Sequence, residues 1–427
     1  MPVGRSPAGG PMNLNDSIAI VGAGASGIAT AHFLKLKGYL NVTLFEASDH
    51  VGGKCNTVQI NGRDYDMGAV FTTSSYDEVN ALAKQFKVPV VPLQGHSDKS
   101  IVNVKTGEAR ARKKGETAEL GLAALDYFRA LEKYPHLIQS GFKNLNPELC
   151  VPLSDWMDNH SNMPKSLNEF FGFTFTPFGY GYVNVVPAVY ALKYYERRLV
   201  SSLMSGNHLG MVRDGYQSLW ESVAQGLTIK LSTPILKIRR QENRPVIVET
   251  ATASTSFDHL IVTCLPEDAL KFLDATPDEK NDFSKTKRYY YYSIAVDVPD
   301  QFEGAGFLPE NYQQSRSKHP LCWFKRWSDA NVAIFYALSD QEISPNEIAA
   351  TLQADARLYG WNLGKIHTIK QWRYFPHFQT SDLMDGIYDR IESRQGHLRT
   401  YWVGEIMNFS TVELVTRYAK DLVLRFF

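Results

Sequence analysis

The chain has 427 residues, of which 44% are hydrophobic and 21% are charged. This length exceeds the roughly 250 residues at which a single core stops growing, so we expect more than one lobe. The 45 basic and 45 acidic residues give a formal net charge of zero, which argues against an extended basic surface for nucleic acid.

Cysteine usage argues against a disulfide scaffold and against a metal site. The four cysteines stand far apart, at Cys55, Cys150, Cys264 and Cys322, without a CxxC pair and without zinc-ligand histidine spacing nearby. We therefore expect reduced thiols, no metal and a cytoplasmic location. No run of roughly 18 apolar residues occurs, so we expect no transmembrane segment.

The N-terminal stretch is rich in Gly and Pro and contains no apolar run. We expect a disordered tail over residues 1–15, with order beginning near Asp16. The same composition argues against a secretory signal and against an amphipathic transit peptide.

A strand, a glycine-rich turn and a helix open the ordered chain. Residues 17–21 (SIAIV) have the composition of a buried strand, and residues 28–37 have helical periodicity. A second β-branched run occupies residues 41–45. This order predicts a β-α-β unit with parallel strands, which is typical of an α/β fold.

The turn GAGASG within this unit predicts a dinucleotide-binding loop. Gly22 permits the tight turn, Gly24 lets a pyrophosphate approach the backbone, and Gly27 allows close packing of helix on strand. The amides at the helix start favour phosphate oxygens. Glu46 ends the second strand, where it can accept hydrogen bonds from ribose hydroxyls. A simple glycine turn without a ligand is the alternative interpretation.

Two further glycine-containing segments follow the second strand. DHVGGK ends at Lys54 and RDYDMGAV ends at Val70. Each is compatible with an ordinary surface turn. In this order, however, the segments resemble the flavin amine oxidase superfamily, in which the acidic strand end leads into a GG-[RK] loop and then a D-x-G segment.

The end of the chain carries a second part of this resemblance. Residues 400–405 (TYWVGE) resemble the family's final strand, which meets the flavin diphosphate, and residues 411–427 form an amphipathic helix. The resemblance implies that the first turn of this helix faces the flavin pyrimidine, where the helix dipole would stabilise negative charge. The small residues that usually open the helix are replaced here by residues 409–412 (FSTV).

The resemblance implies noncovalently bound FAD. The motifs and the resemblance together assign cofactor contacts to Gly22, Gly24, Ala25, Ser26, Gly27, Glu46, Ala47, Gly52, Gly53, Lys54, Met67, Gly68, Ala69, Val70, Ile235, Gly404, Glu405, Thr411 and Val412.

Strands in the middle of the chain imply that the FAD-binding domain is discontinuous. Residues 227–239, 246–249 and 257–263 read as strands that return to it. We therefore predict an α/β fold with a discontinuous Rossmann-like FAD-binding domain, a helical lobe and a β-sheet substrate domain. The predicted bounds are 16–90, 205–266 and 385–427 for the FAD-binding domain, 110–204 for the helical lobe, and 91–109 and 267–384 for the substrate domain.

The two inserts differ in pattern. Residues 116–141 have helical periodicity, whereas residues 289–296, 321–327 and 331–337 are aromatic-rich strands. Such a sheet suits the wall of an apolar cavity. Ordinary core packing is the alternative interpretation, because aromatic residues favour strands in any case.

Motifs in the predicted helical lobe and in the later part of the chain resemble one particular group within this superfamily. FTPFGYGY at residues 175–182, ALKY at 191–194 and RYFPH at 373–377 are similar to bacterial polyunsaturated fatty acid double-bond isomerases of the linoleate isomerase type. That family implies a redox-neutral reaction, in which a hydride leaves the methylene between two double bonds for flavin N5. The same hydride then returns at one end of the system, and the product is conjugated.

No acid–base pair is evident, which suits chemistry carried by the cofactor, so we assign no catalytic residue. For the substrate we single out Lys99, Phe178, Tyr180, Arg198, Trp372 and Phe375. Strand alternation predicts that Trp372 and Phe375 face opposite sides. A family-type arginine for a fatty-acid carboxylate is not evident in the sequence. His377 is either a cavity residue or a hydrogen-bonded structural one.

Three functions remain open from the sequence. The first is an FAD-dependent isomerase of a polyunsaturated fatty acid or a similar apolar polyene. The second is a flavin oxidase or desaturase that passes electrons to oxygen. The third is a protein that binds FAD or an apolar ligand without catalysis.

Overall fold

The structure is a computed structural model that describes residues 12–93, 99–111, 114–159, 171–172, 174–204 and 209–427. Within these ranges the strands are β1 (Ile18–Val21), β2 (Val42–Phe45), β3 (Thr57–Ile60), β4 (Arg63–Asp66), β5 (Thr72–Thr73), β6 (Val90–Pro92), β7 (Lys99–Val102), β8 (Ala109–Ala111), β9 (Leu209–Val212), β10 (Thr228–Lys230), β11 (Ile235–Arg239), β12 (Val246–Thr250), β13 (Ser254–Phe257), β14 (His259–Val262), β15 (Lys287–Asp297), β16 (Ala305–Phe307), β17 (Pro320–Phe324), β18 (Val332–Ser339), β19 (Ile366–His377) and β20 (Thr400–Trp402).

The α-helices of the same ranges alternate with these strands at both ends of the chain and cluster between β8 and β9. They are α1 (Ala25–Leu36), α2 (Asp77–Gln85), α3 (Lys114–Leu131), α4 (Leu153–Asn159), α5 (Ala188–Tyr194), α6 (Arg197–Met204), α7 (Tyr216–Ala224), α8 (Pro266–Phe272), α9 (Pro277–Phe283), α10 (Pro345–Leu358), α11 (Thr380–Met384), α12 (Ile387–Ser393) and α13 (Val412–Phe426).

A five-stranded parallel sheet unites distant parts of the chain. Its order is β10-β2-β1-β14-β20, so strands from the start, the middle and the end lie side by side. Every residue of β1 and of β14 is buried, as expected for a parallel sheet that is covered on both faces. Helix α1 packs against α13 and α7. The predicted α/β fold with a discontinuous Rossmann-like domain is confirmed.

A seven-stranded sheet, in the order β19-β15-β18-β17-β16-β7-β8, forms the predicted β-sheet insert. One face of its long central strands packs into the main core, which it shares with the helical lobe. The other face packs against α10 and encloses a separate core. Successive side chains along β15 and β18 therefore point alternately into two different cores, one on each face of the sheet.

Two sequence-based expectations need correction near the first sheet. The first helix begins at Ala25, three residues before the predicted start, because Gly24 is its N-cap residue. Residues 1–11 of the predicted tail lie outside the described residues, but the tail does not extend to residue 15. Met12 packs against the core, and the backbone amide of Asn13 donates to Asp16 Oδ2 at 3.0 Å.

No helix in the described part of the chain combines the length and the apolarity that crossing a bilayer requires. Within the same ranges, no cluster of three or more His, Cys, Asp or Glu side chains is arranged to hold a metal ion.

A buried guanidinium ties β11 to the segment that follows α8. The side chain of Arg240 is fully buried; its Nε lies 2.9 Å from Asp274 Oδ1 and its Nη2 lies 2.7 Å from Glu279 Oε2. Its Nη1 also donates to Thr400 Oγ1 at 3.2 Å, at the start of β20. The charge is therefore compensated by two carboxylates and linked to the edge of the parallel sheet.

Replacing Arg240 by Met should destabilise the fold by about 3–5 kcal/mol, because Glu279 would remain buried without its partner. The neighbouring Arg239 is the matched control, since its side chain is 58% exposed in its ion pair with Glu249. Arg239→Met should cost less than about 1 kcal/mol. Urea denaturation measures both, and equal losses for the two variants would contradict this assignment.

Candidate functional site

In the glycine-rich turn between β1 and α1, Gly22 and Gly27 are closely packed, whereas the space beside Gly24 is open. Gly22 has a φ of +99°, and a Cβ on Gly27 would collide with the Gly22 carbonyl oxygen. Gly24 differs, because its backbone is extended and the nearest atom to an added Cβ would be Gly53 Cα at 3.8 Å. The glycine at 24 is therefore not required by the protein's own packing.

The start of α1 offers unpaired donors beside this open position. Gly24 provides no side-chain cap, and the first turn contains no acidic residue. The Ser26 hydroxyl is buried and has no hydrogen-bond partner among the described residues. A buried polar atom of this kind calls for a ligand or water, and helix N-termini favour phosphate oxygens. These residues fit the diphosphate of a dinucleotide.

Glu46 is held firmly at the end of β2. Its Oε2 accepts from the Ala23 amide at 2.8 Å, and its Oε1 accepts from the amide and the hydroxyl of Ser48, each at 2.8 Å. The Thr233 amide donates to the Glu46 carbonyl at 2.8 Å. This contact brings Ile235, the predicted adenine-side residue, close to the same strand end. Ala47, the next predicted contact, is exposed.

The GGK loop lies between the glycine-rich turn and the D-x-G segment. The Gly52 amide donates to the Ala23 carbonyl at 2.9 Å, and the Ala69 amide donates to the Lys54 carbonyl at 3.1 Å. A Cβ on Gly68 would collide with that same Lys54 carbonyl. Residues 67–70 are therefore positioned by direct backbone contact with the loop, as a shared cofactor site requires.

Lys54 and Glu405 join the two ends of the chain. Lys54 Nζ lies 2.7 Å from Glu405 Oε1 and 2.8 Å from Oε2, and the Ser410 hydroxyl also donates to Oε2 at 3.1 Å. The ammonium group stands 5.2 Å from the ring centroid of Tyr374. Gly404, with a φ of +117°, places the final strand against the first loop, since an added Cβ would lie 3.9 Å from Ser26 Oγ.

Thr411 serves as the N-cap of α13. Its Oγ1 accepts from the Leu414 amide at 3.1 Å, and Val412 is the first residue of the helix. The predicted contact of these two residues with the flavin pyrimidine stays a prediction.

One face of the seven-stranded sheet presents an aromatic wall, which we define as Tyr291, Phe324, Tyr336, Trp372 and Tyr374. All five pack into or against the main core. The Trp372 indole donates to the Met67 carbonyl at 2.6 Å, so the wall meets the D-x-G segment directly.

The helical lobe covers this wall. The Tyr291 hydroxyl donates to the Pro177 carbonyl at 2.6 Å, and the rings of Tyr180 and Tyr374 stack with centroids 5.8 Å apart. Phe71 bridges the two sides, since its ring lies 6.0 Å from that of Phe178 and 5.2 Å from that of Phe324. The predicted substrate residues Phe178 and Trp372 thus contact residues 67–71, and Tyr180 joins them through Tyr374.

Phe375 also lies beside these residues, although strand periodicity does not predict it. Tyr374 pairs with Tyr289 but His377 pairs with Lys287, so β19 carries one extra residue here, and Phe375 has a φ of +53°. This β-bulge turns Phe375 toward Tyr180, at a ring distance of 5.8 Å. The prediction that Trp372 and Phe375 face opposite sides is therefore wrong.

The predicted substrate cations are placed differently. The side chain of Arg198 is 56% exposed, and its guanidinium binds both carboxylate oxygens of Asp77, with Nη2 at 2.8 Å from Oδ1. That group is therefore committed to a surface ion pair. Lys99 begins β7, and its side chain lies outside the described part of the structure.

A buried ion pair beside the wall was missed by the sequence interpretation. Arg326 Nη1 binds Asp66 Oδ2, and Arg326 Nη2 donates to the carbonyls of Val212 and Arg213 at 2.7 and 2.8 Å. Asp66 also accepts from the Tyr216 amide at 2.7 Å. Burial raises the pKa of Asp66, and the guanidinium opposes that shift. The only sequence clue was the aspartate that precedes Met67.

The described ionisable groups of the wall are unsuited to proton transfer near neutral pH. Burial raises the pKa of Tyr291, Tyr336 and Tyr374 well above the usual value. Burial lowers the pKa of His377 to about 4, and His377 Nδ1 donates to the Phe375 carbonyl at 2.8 Å. His377 is thus a neutral residue that supports the bulge.

Comparison with known proteins identifies the family. The profile of the flavin-containing amine oxidoreductases matches residues 25–341. The chain belongs to this family. FAD is therefore its cofactor, and the residues of the glycine-rich site have the donors and the open backbone position that the cofactor needs.

Whole-chain relatives extend this assignment. The crystal structure of a CLA-producing fatty acid isomerase from P. acnes superimposes with a TM-score of 0.91 at 28% identity, over 97% of this chain and 100% of that one. The FAD-dependent oxidoreductase dpasF of Apiospora sacchari is 24% identical over 91% of this chain and 87% of its own length. Putrescine oxidase shares the fold, with a TM-score of 0.69 at 16% identity over 96% of this chain and 98% of that one.

Gly24→Ala should weaken FAD binding by about tenfold or more while leaving the fold intact, because its methyl group enters the open position without a clash with the protein. Gly27→Ala is the contrasting variant, since its methyl group collides with Gly22. The flavin-to-protein ratio and the melting temperature of the apoprotein separate the two effects. A Gly24→Ala protein that keeps full flavin content would contradict the placement of the diphosphate.

His377 should make the fold less stable in acid. Its folded-state pKa of about 4 lies below the unfolded value of 6.5, so the unfolded chain binds more protons between these pH values. The unfolding free energy should therefore fall by up to about 3 kcal/mol as the pH drops from 6.5 to 4. Urea denaturation of His377→Phe against wild type should show a shallower slope, and identical slopes would reject the assignment.

Proposed function

We propose that this protein is an FAD-dependent isomerase that shifts the double bonds of a polyunsaturated fatty acid, or of a similar apolar polyene, into conjugation. The observation that carries the proposal is the likeness to the P. acnes fatty acid isomerase, at a TM-score of 0.91 and 28% identity over 97% of the chain. The aromatic wall supports the same substrate class, since it offers an apolar surface beside the D-x-G segment.

The wall's contribution on this proposal is to bind the polyene and to exclude water. Aromatic side chains supply large apolar area with few rotatable bonds, and their flat faces suit contact with the planar double bonds of the chain. The contacts of Trp372 with Met67 and of Tyr374 with the Ser410 carbonyl, at 2.9 Å, fix the wall relative to the cofactor segments. A fixed wall places one carbon of the chain reproducibly.

When bound, FAD supplies a hydride acceptor that can also return the hydride. The protein then needs no acid–base pair of its own. The neutral His377 and the protonated tyrosines of the wall agree with this requirement, because none of them changes its charge around neutral pH.

We also propose that the cofactor is held without a covalent bond. Burial raises the pKa of Cys55, the cysteine next to Lys54, and so disfavours the reactive thiolate. Acid precipitation should release all of the flavin into the supernatant. Colour retained in the pellet would show covalent attachment.

Anaerobic incubation of the holoenzyme with linoleate deuterated at the methylene between its double bonds should give a conjugated product that keeps both deuterium atoms. Absorbance in the conjugated-diene band should rise over many turnovers while the flavin stays oxidised. The wall itself should add no pH dependence to the rate between pH 6 and 9, because burial raises the pKa of its tyrosines well above the usual value.

The oxidase alternative predicts a different outcome. Each turnover would then consume oxygen and release hydrogen peroxide, and anaerobic substrate would bleach the flavin without forming a conjugated product. A panel of polyenoic acids of different length tests the isomerase and the oxidase in parallel. A saturated acid of equal length is the control for binding alone.

A further inference from the structure

One hydroxyl in the aromatic wall has no protein partner. The Tyr336 side chain is 6% exposed, and its hydroxyl makes no hydrogen bond with any described residue. Its ring is fixed, since it stacks on Tyr291 at a centroid distance of 5.6 Å and an interplanar angle of 12°. A buried hydroxyl without a partner is costly, so its presence calls for a specific explanation.

Three other tyrosine hydroxyls of the same sheet have protein partners. The Tyr291 hydroxyl binds the Pro177 carbonyl, and the Tyr374 hydroxyl binds the Ser410 carbonyl. On the opposite face, the Tyr292 hydroxyl binds the amide and the carbonyl of Ile343 at 2.7 and 2.9 Å. On the face that the proposed substrate would contact, the Tyr336 hydroxyl and the hydroxyl of Ser293, its partner across the sheet, are buried without a described partner.

A second unpaired donor belongs to the same region. Arg326 is 3% exposed, and its Nε has no partner among the described residues. Arg326 follows β17 by two residues, and β17 pairs with β18, the strand that carries Tyr336. The buried ion pair therefore belongs to the same end of the sheet as the unpaired hydroxyl.

The charge balance decides what kind of acceptor fits. The guanidinium of Arg326 is already compensated by Asp66, so a second buried carboxylate would bring an uncompensated negative charge. A neutral oxygen adds no such charge and can still accept a hydrogen bond from the phenol.

We propose that Tyr336 donates a hydrogen bond to a neutral carbonyl or hydroxyl oxygen of the ligand. The preferred ligand is then a polyunsaturated chain carrying an ester or alcohol group, rather than a free carboxylate. This inference rests on the proposed function for the identity of the chain, and it deepens that function by naming the polar group. Tyr336 acts here as a specificity residue.

Titration of the holoenzyme with methyl linoleate, linoleyl alcohol, linoleate and octadeca-6,9-diene tests the inference through the perturbation of the flavin spectrum. In wild type the ester and the alcohol should bind more tightly than the carboxylate. Tyr336→Phe should weaken ester and alcohol binding by about 5- to 10-fold and leave binding of the oxygen-free diene unchanged. Equal losses for all ligands, or no loss for any, would overturn the inference.

Tyr292→Phe is the matched control, since it removes a hydroxyl from the opposite face of the same sheet. It should lower the melting temperature and leave all ligand affinities unchanged. Tyr336→Phe should not lower the melting temperature of the ligand-free protein, because no protein hydrogen bond is lost. A clear loss of stability would show that the hydroxyl has a structural partner.

The outcome is separable from that of the proposed function. Conjugation of linoleate or its ester without any dependence of binding on the Tyr336 hydroxyl would leave the isomerase proposal standing and reject this inference. Hydroxyl-dependent binding of ester and alcohol without a conjugated product would reject the isomerase and retain the inference.

Discussion

The close approach of four backbone segments around the glycine-rich turn is the constraint on which the rest of the structure depends. At Gly27, Gly52 and Gly68 an added Cβ would collide with a carbonyl oxygen, and at Gly404 it would lie 3.0 Å from the Thr263 carbonyl. The first, middle and last parts of the chain therefore meet where no side chain separates them. The ion pair between Lys54 and Glu405 closes this junction, and the helical lobe and the seven-stranded sheet are inserted between its parts.

This junction also determines where the aromatic wall stands. Residues 67–71 leave the glycine site and immediately contact the wall, through the Met67 carbonyl and the Phe71 ring. Asp66, one residue earlier, anchors the same segment to Arg326 in the sheet domain. Residues 66–71 are thus held by backbone contacts with the GGK loop and by a buried ion pair with Arg326.

The parts that could be predicted from the sequence are those whose evidence is local. The turn at residues 22–27 lies between a strand and a helix that adjoin it in sequence, so its geometry follows from spacing alone. Asp66 and Arg326 are 260 positions apart, and nothing near either residue announces the other. The orientation of Phe375 could not be predicted for a different reason. Strand alternation assumes a regular ladder, and a single extra residue reverses the face to which the following side chain points.

The chemistry of the wall bears on what separates an isomerase from an oxidase in this family. Because the described ionisable groups there keep one protonation state through neutral pH, proton transfer from the wall does not distinguish the two reactions. On the proposed function, the two reactions would then differ in whether the chain stays bound until the product forms or oxygen reaches the site first. The helical lobe covers the wall where Tyr180 stacks on Tyr374, at a centroid distance of 5.8 Å. Redox neutrality would on that proposal depend on the packing around the bound chain and not on an added catalytic group.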